Sequence, residues 1–519
     1  MYPSERLDLA AVTLLSDLPA WRLRAVERIR LSSALWSERD REIHVRPLMS
    51  ALAERKVLKG RTKQVRALKS TLKAPPAWNV SGEGDSATLI LPITDMPRIP
   101  LLDLHITVAG QDVYRIPLDE SARIQAKYLS YLARCAKLTN RMHQLSPSLI
   151  DLLTAIFYFP SDPFEEIAKD RDRADAQYDY LMERREDFPF EGMDDAYPQW
   201  KLIADKISAL ATRYVLPDYV SSSEHPLIAL PYFCRELKIR SEKRYGALKL
   251  EVVTGLLDEL YSLLEKASDP PAGASREEEG ALDRFASTYF GYGLRWMAFA
   301  RCTVPLNEPF TITVRQKRAV YFSKTRDVRP PIKSFLDKTA WTTISFADAE
   351  TNHVSIRVSD PAVRLLTNPE VEDEKGVSLA GERIDEEAKT FELYLRQSST
   401  RGRKERILIG THLRLTRLHS SMLWLAILIT GFGLGLLAWR GVVEFRTPST
   451  SGRTHGLSAK DAAVILVPAT FAASLLLSRD SSTLSARIKQ ARQAVLTVEL
   501  FLLLAMAFFL FLLHYIRPE

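Results

Sequence analysis

The sequence has very few cysteines and none of the short motifs that mark common enzyme classes. Its three cysteines, Cys135, Cys234 and Cys302, form no C-x-x-C pair. A small, odd number excludes a disulfide-rich secreted scaffold and fits a reducing compartment. The chain also has no Walker loop, no H-E-x-x-H, no G-x-S-x-G and no protein-kinase signature. We therefore expect a non-enzymatic protein without a cofactor.

Histidine is also sparse, and its spacing does not favour a metal site. The nine histidines are scattered, and no two lie three or four residues apart as a helical metal site requires. The strongest local polar group is Asp348, Glu350 and His353, which share one junction between predicted strands. These side chains could bind a cation or orient a base. The favoured interpretation is a polar turn, and no metal is expected.

The net charge of the chain is small for its length. The chain has 71 Lys and Arg against 64 Asp and Glu, a net charge of +7. The densest basic stretch runs from Arg55 to Lys73 and contains no acid and no aromatic residue. Because stacking aromatics are missing, nucleic acid is not an expected partner. A solvated face is favoured there, and contact with anionic lipid is the alternative.

Three long apolar runs lie near the C-terminus. Ser421 to Trp439 has no charged residue and would rise about 28 Å as a helix, close to the thickness of a bilayer's hydrocarbon core. Ala462 to Ser478 is shorter and contains Pro468, whereas Ala494 to Ile516 is long and strongly apolar. The runs predict three membrane spans, at 421–439, 462–478 and 494–516.

The glycines of the first run do not form a dinucleotide-binding turn. Gly431, Gly433 and Gly435 resemble the start of G-x-G-x-x-G, but position 436 is Leu and no βαβ unit follows. Gly431 and Gly435 instead form a G-x-x-x-G pair, which lets another helix approach closely. We predict that this pair packs helices together and can support a homo-oligomer.

One acidic residue, Glu499, lies inside the third run. An ionised carboxylate there costs about 1–3 kcal/mol unless it is paired, protonated or hydrated. One interpretation is a polar site between helices, with Arg492 or Arg479 as the partner. The other places Glu499 at the level of the lipid headgroups.

The orientation of the spans follows from the flanking basic residues. The N-terminal stretch carries Glu5, Asp8 and Asp17, so it is not expected to be a secretory signal. Cytoplasmic flanks are enriched in Lys and Arg. Ten such residues flank one side and five the other, and the richer side includes the whole N-terminal part. We therefore predict a multi-pass protein of the plasma (inner) membrane with its N-terminal region in the cytoplasm.

The remaining sequence divides by its patterns. Weakly alternating, β-branched segments predict strands in the first part, and apolar residues three and four apart predict helices in the middle. Short strands with regular turns follow, as in an immunoglobulin-like fold. The expected class is multi-domain α+β with C-terminal transmembrane helices. Its parts are a small β-rich domain at 1–118 with a basic insertion, a mainly helical domain at 119–301 with a linker near 266–280, a juxtamembrane antiparallel β-sandwich at 305–418, and a transmembrane region at 421–516.

An aromatic stripe marks the end of the helical part. Phe285, Tyr289, Tyr292, Trp296 and Phe299 recur at spacings of four, three, four and three. The pattern predicts one buried helix face.

Together these features favour a membrane-anchored, cytoplasm-facing sensor or scaffold of the bacterial kind. It would bind a protein partner through its cytoplasmic domains and couple that partner to the membrane lipid. An oligomeric membrane pore or membrane-disrupting effector is the alternative, since three spans cannot enclose a path alone. A membrane-bound hydrolase built around Asp348, Glu350 and His353 ranks third.

Overall fold

The structure is a computed structural model with eleven helices and fourteen strands in the part of the chain that it describes. That part is 3–54, 63–72, 85–97, 101–139, 144–158, 193–211, 213–214, 250–271, 273–322, 338–346, 348–365, 370–373, 390–396, 405–446, 459–477 and 482–516. The helices are α1 (Pro3–Ser16), α2 (Leu48–Glu54), α3 (Lys63–Leu72), α4 (Leu118–Cys135), α5 (Pro147–Tyr158), α6 (Met193–Ala211), α7 (Leu250–Ser268), α8 (Arg276–Leu294), α9 (Arg417–Arg446), α10 (Ala459–Leu477) and α11 (Thr483–Ile516). The strands are β1 (Arg22–Leu31), β2 (Trp36–Val45), β3 (Ser86–Pro97), β4 (Leu101–Val108), β5 (Gln111–Val113), β6 (Arg295–Pro305), β7 (Phe310–Ala319), β8 (Tyr321–Phe322), β9 (Lys338–Phe346), β10 (Thr351–Val358), β11 (Val363–Leu365), β12 (Glu370–Asp373), β13 (Thr390–Arg396) and β14 (Glu405–Leu415).

The larger sheet has seven strands in the order β13-β10-β1-β2-β7-β4-β5. Most neighbours are antiparallel, but β1 and β10 pair in parallel, with Arg24 opposite Thr351 and Leu31 opposite Val358. β2 pairs with β7 along its whole length. The sheet therefore joins strands that the sequence pattern assigned to two different domains, 1–118 and 305–418. The coarse class, mixed α and β with a large sheet, is confirmed.

A smaller sheet covers one end of the larger one. It has the order β11-β14-β9-β8, and β12 also pairs with β14. A second hydrophobic core lies between the two sheets, with Ile29 and Ile356 from the larger sheet and Ile344 and Ile409 from the smaller. The two-sheet packing is sandwich-like. It is not the self-contained antiparallel sandwich expected at 305–418, because β1 enters it and pairs in parallel.

The first and larger core lies on the other part of the seven-stranded sheet. Helices α1 to α8 and a two-stranded ribbon of β3 and β6 contribute most of its buried side chains. The predicted aromatic stripe is wrong as a single helix, because α8 ends at Leu294 and β6 starts at Arg295. Trp296 and Phe299 are nevertheless buried in the same core as Phe285, so burial, and not helical period, explains their spacing.

Local sequence signals agree with the structure at two turns. Ala109 and Gly110 have φ of 51° and 77° between β4 and β5, the backbone that a tight hairpin requires. In the predicted linker, Ser275 and Glu278 form a capping box that starts α8.

Candidate functional site

The sequence-predicted group of Asp348, Glu350 and His353 is not one cluster. Asp348 is buried and accepts from Arg22 at 2.6 Å and from Arg41 at 2.5 Å. Glu350 forms an ion pair with Arg46. His353 lies on β10, where its Nε2 is 3.7 Å from a carboxylate oxygen of Glu392 on β13. Each of the three side chains has a different partner, so the structure does not gather a base and an acid around a common centre.

Asp348 belongs to a buried ionic network that the sequence analysis missed. Glu27 on β1 lies opposite Arg41 on β2, and Arg41 Nη1 is 2.7 Å from its carboxylate. Arg39 approaches the same carboxylate at 3.5 Å. The guanidinium of Arg22 also donates to the carbonyls of Pro92 and Ile93 on β3. The network therefore links β1, β2, β3 and the loop after β9.

The network shifts the basicity of its arginines in opposite directions. Burial lowers the pKa of Arg22 to about 10, although the Asp348 carboxylate opposes this shift. Arg41 is equally buried, which lowers its pKa, but the carboxylates of Asp348 and Glu27 outweigh burial and raise it. Both guanidinium groups stay charged at neutral pH. The carboxylates are consequently held between cations and are poorly suited to act as general bases.

A second polar site joins the part of the chain that precedes α9, which we call the body, to the start of α11. The Asp360 carboxylate follows β10 and accepts from the backbone N–H of Ser485 at 3.1 Å and from the Ser482 hydroxyl. The Thr483 hydroxyl lies 3.0 Å from the hydroxyl of Ser33. Asp360 thus supplies a carboxylate to the N–H groups at a helix N-terminus, which have no acceptor within the helix and favour negative charge. Sequence alone cannot place Asp360 there, because more than a hundred residues separate it from Ser485.

Apolar contacts reinforce this junction. Leu484 and Ile488 of α11 and Leu423 of α9 are buried in the second core, beside Leu31 of β1 and Val363 of β11. The first turns of α11 therefore pack as part of the body. The same helix then continues to Ile516, which gives a total length of about 51 Å.

Helices α9, α10 and α11 form a three-helix bundle. Ala426, Ala472 and Leu496 meet in one small cluster, and Leu437 and Leu503 belong to a second, farther from the body. Ser420 contacts Arg492 near the body. The order of these contacts shows that α9 and α11 are parallel to each other and that α10 is antiparallel to both. Two stretches, Arg417–Val443 and Thr483–Leu512, are long and apolar enough to cross a membrane, whereas the apolar part of α10 is shorter.

Among the glycines of α9, Gly433 is the one most tightly enclosed by the neighbouring helices. A Cβ atom on Gly433 would lie 3.2 Å from Pro468 Cγ of α10 and 3.4 Å from Leu503 Cδ1 of α11. A Cβ on Gly435 would meet nothing within 4 Å, and one on Gly431 would meet only Glu499 Oε1, at 3.7 Å. Gly435 therefore leaves an open face on the bundle. Self-association through Gly431 and Gly435 stays a prediction.

Glu499 faces the inside of this bundle. Its Oε2 is buried with no hydrogen-bond partner, and so is the hydroxyl of Thr430 on α9. Arg492, two turns nearer the body, donates to Ser420 Oγ at 3.2 Å and lies 5.9 Å from the ring centre of Trp424. Arg479, the other predicted partner, lies outside the described residues. Glu499 therefore lies at the helix interface, close to Gly431 of α9.

Among the described residues, no three His, Cys, Asp or Glu side chains are grouped so that they could hold a metal ion. Comparison of the chain with protein-family models, with curated proteins and with solved structures finds no match in any of the three. The interpretation of function therefore depends on the geometry of this chain alone.

Proposed function

We propose that the protein is a membrane-anchored, cytoplasm-facing sensor or scaffold whose folded body is coupled to the bilayer through α11. One observation carries the proposal: α11 begins inside the second core, with Leu484 and Ile488 fully buried, and continues as one helix along the apolar bundle. A packed helix transmits displacement between two sites more directly than a loop does. A change in the body would thereby reach the membrane.

The surface of the bundle supports its place in a bilayer. Phe432, Trp439 and Phe501 each expose 70–71% of their surface. Only 33% of the most apolar stretch of α9 and 17% of that of α11 are buried. An apolar helix in the core of a soluble protein is, in contrast, mostly buried. Such large exposed apolar surface favours contact with lipid. Because α9 and α11 both leave the body in the same direction, α10 must return across the bundle, so we propose three spans.

The proposed topology predicts a defined labelling pattern. In a variant without native cysteines, a cysteine at Leu35, exposed on the body, should react with a membrane-impermeant maleimide only after the cells are lysed. A cysteine at Ser451, in the segment between α9 and α10, should react in intact bacterial cells. The protein should also stay in the membrane pellet after an alkaline carbonate wash. Release by the wash, or equal labelling of both cysteines in intact cells, would exclude the proposal.

A second function, an oligomeric membrane pore, is favoured by Glu499. Its unpaired carboxylate oxygen lies at the helix interface, and the open face at Gly435 offers a contact for another copy. Three helices per chain are too few to enclose an aqueous path, so this function requires a homo-oligomer. The scaffold function does not require a homo-oligomer.

Flux measurements separate the two functions. If Glu499 lines a path for cations, Glu499→Gln should lower cation flux through proteoliposomes by about tenfold, since the variant removes the negative charge but keeps the shape. Val498→Gln, at an exposed neighbouring position, is the matched control and should leave flux unchanged. Absence of flux above that of empty liposomes in the parent protein would rule out the pore and leave the scaffold.

A further inference from the structure

The inner face of β2 and β7 carries a buried arginine beside the Asp348 network. Arg318 on β7 exposes only 7% of its surface. Its Nη2 donates to the carbonyl oxygen of Asp95 at 3.3 Å, and its Nε is buried without an acceptor. Among the contacts of the described residues, no carboxylate forms a salt bridge with Arg318. A guanidinium in such a position is normally paired, because a buried unpaired charge is costly.

The neighbouring side chains are polar as well. Gln316, two residues earlier on the same face, is buried, and its Oε1 has no hydrogen-bond partner. Arg39 lies opposite Gln316, and Ser37 lies opposite Arg318, on β2. The strand pairing therefore brings two arginines, an amide and a hydroxyl to one patch of the sheet, which we call the Arg318 patch.

The charges around this patch do not balance. Among the residues that the structure describes, the buried ionisable side chains of this region are four arginines, at 22, 39, 41 and 318, and three carboxylates, at 27, 95 and 348. Burial, followed by the charge of Arg39, lowers the pKa of Arg318 well below its usual range. The Glu27 carboxylate opposes this shift, whereas Arg295 and Arg41 add to it. Arginine nevertheless remains protonated in proteins. One positive charge is left without a carboxylate of its own.

We propose that the Arg318 patch binds a small oxyanion, of the phosphate or carboxylate class, with the Arg318 guanidinium as its main ligand. The planar guanidinium offers paired N–H donors that match two oxygens of either anion. The Gln316 amide can turn its NH₂ group toward the anion, because the amide O and N assignment is exchangeable. The positive charges of Arg39 and Arg295 favour an anion there.

Anion binding at the Arg318 patch would act on the proposed coupling between the body and the membrane. This part of the inference rests on the proposed function. Arg39 contacts Glu27 on β1, and the same strand carries Leu31, which belongs to the second core together with Leu484 of α11. An anion that competes with Glu27 for Arg39 would alter the strand that holds α11. Anion binding itself does not depend on a membrane role.

The test is thermal unfolding of the full-length protein in detergent, titrated with sodium phosphate or sodium acetate at constant ionic strength. Phosphate, acetate or both should raise the melting temperature of the parent protein, since a ligand of the folded state stabilises it. Arg318→Met should abolish this rise. It should also melt no lower than the parent without anion, because it removes an unbalanced buried charge. The matched control is Arg315→Met, three residues away on the outer face of β7, which should keep the parent's response.

The result can also contradict the inference. It is overturned if neither anion stabilises the parent protein, or if Arg318→Met responds as strongly as Arg315→Met, which would indicate binding elsewhere. A response to phosphate alone would assign the patch to a tetrahedral anion, and a response to acetate alone to a carboxylate. If Arg318→Met does not fold, Arg318→Lys replaces it, with an expected loss of about tenfold in apparent affinity because the paired donors are lost. The labelling test of topology uses no anion, so the two proposals can fail separately.

Discussion

Replacing Asp348 with alanine is expected to lower the free energy of unfolding of the body by about 3–5 kcal/mol, because the change leaves two buried arginines without their shared carboxylate. Arg22 and Arg41 bond to Asp348 at 2.6 Å and 2.5 Å, and all three side chains are almost completely buried. Chemical denaturation followed by tryptophan fluorescence measures the effect. Trp21, one of the eight tryptophans of the chain, has its ring centre 4.8 Å from the Arg22 guanidinium and contributes to this signal.

Glu350 provides the matched control for this prediction. It lies two residues from Asp348 and also pairs with an arginine, Arg46, but both side chains are partly exposed, at 23% and 26%. Such pairs contribute about 0–1 kcal/mol. Glu350→Ala should therefore change the free energy of unfolding only slightly. Equal losses for the two variants would show that burial does not govern the Asp348 network.

Replacing Ile488 with alanine is expected to loosen the junction between the body and the bundle. Ile488 is fully buried in the second core, and removal of such a side chain costs about 2–5 kcal/mol through lost burial and a residual cavity. Hydrogen exchange of the full-length protein in lipid nanodiscs should become faster in β11 and at the C-terminal end of β1. Exchange should stay slow in α4, which lies in the first core.

The control for this variant is Val495→Ala. Val495 lies two turns farther along the same helix and exposes 38% of its surface, so its truncation should leave exchange in the body unchanged. If Ile488→Ala accelerated exchange only within α11, the helix would be attached to the body without being coupled to it. The proposed transmission between the body and the membrane would then be wrong.

The sequence predicted most strands but not how they pair. β-branched runs and turn residues predicted strands in the first part of the chain and within 305–418, because these signals are local. The parallel pairing of β1 with β10 brings together residues more than three hundred positions apart, and no local signal encodes it. Domain boundaries based on composition therefore separated strands that share hydrogen bonds.

The site residues were missed for a related reason. Strand β1 places Arg22 and Glu27 inside and Arg24 and Arg28 outside, so charge occurs on both faces and alternation does not distinguish them. The G-x-x-x-G pattern similarly indicated Gly431 and Gly435, whereas the neighbouring helices lie closest to Gly433 among the glycines of α9. That contact depends on Pro468 and Leu503, which belong to other helices. Glu499, in contrast, could be singled out from sequence, since an acid in an apolar run is unusual anywhere.

The pairing of β1 with distant elements sets an order for biosynthesis. β1 is translated early, yet its partner β10 follows more than three hundred residues later, and Leu484 and Ile488 complete its core later still. At about 5–20 residues per second on the ribosome, the early strand waits for tens of seconds. During that time the edge of β1 that later pairs with β10 has unpaired backbone groups, which can pair with another chain and cause aggregation. The second core should therefore close only after the start of α11 has been made, and nascent chains halted before Thr483 should depend on chaperones.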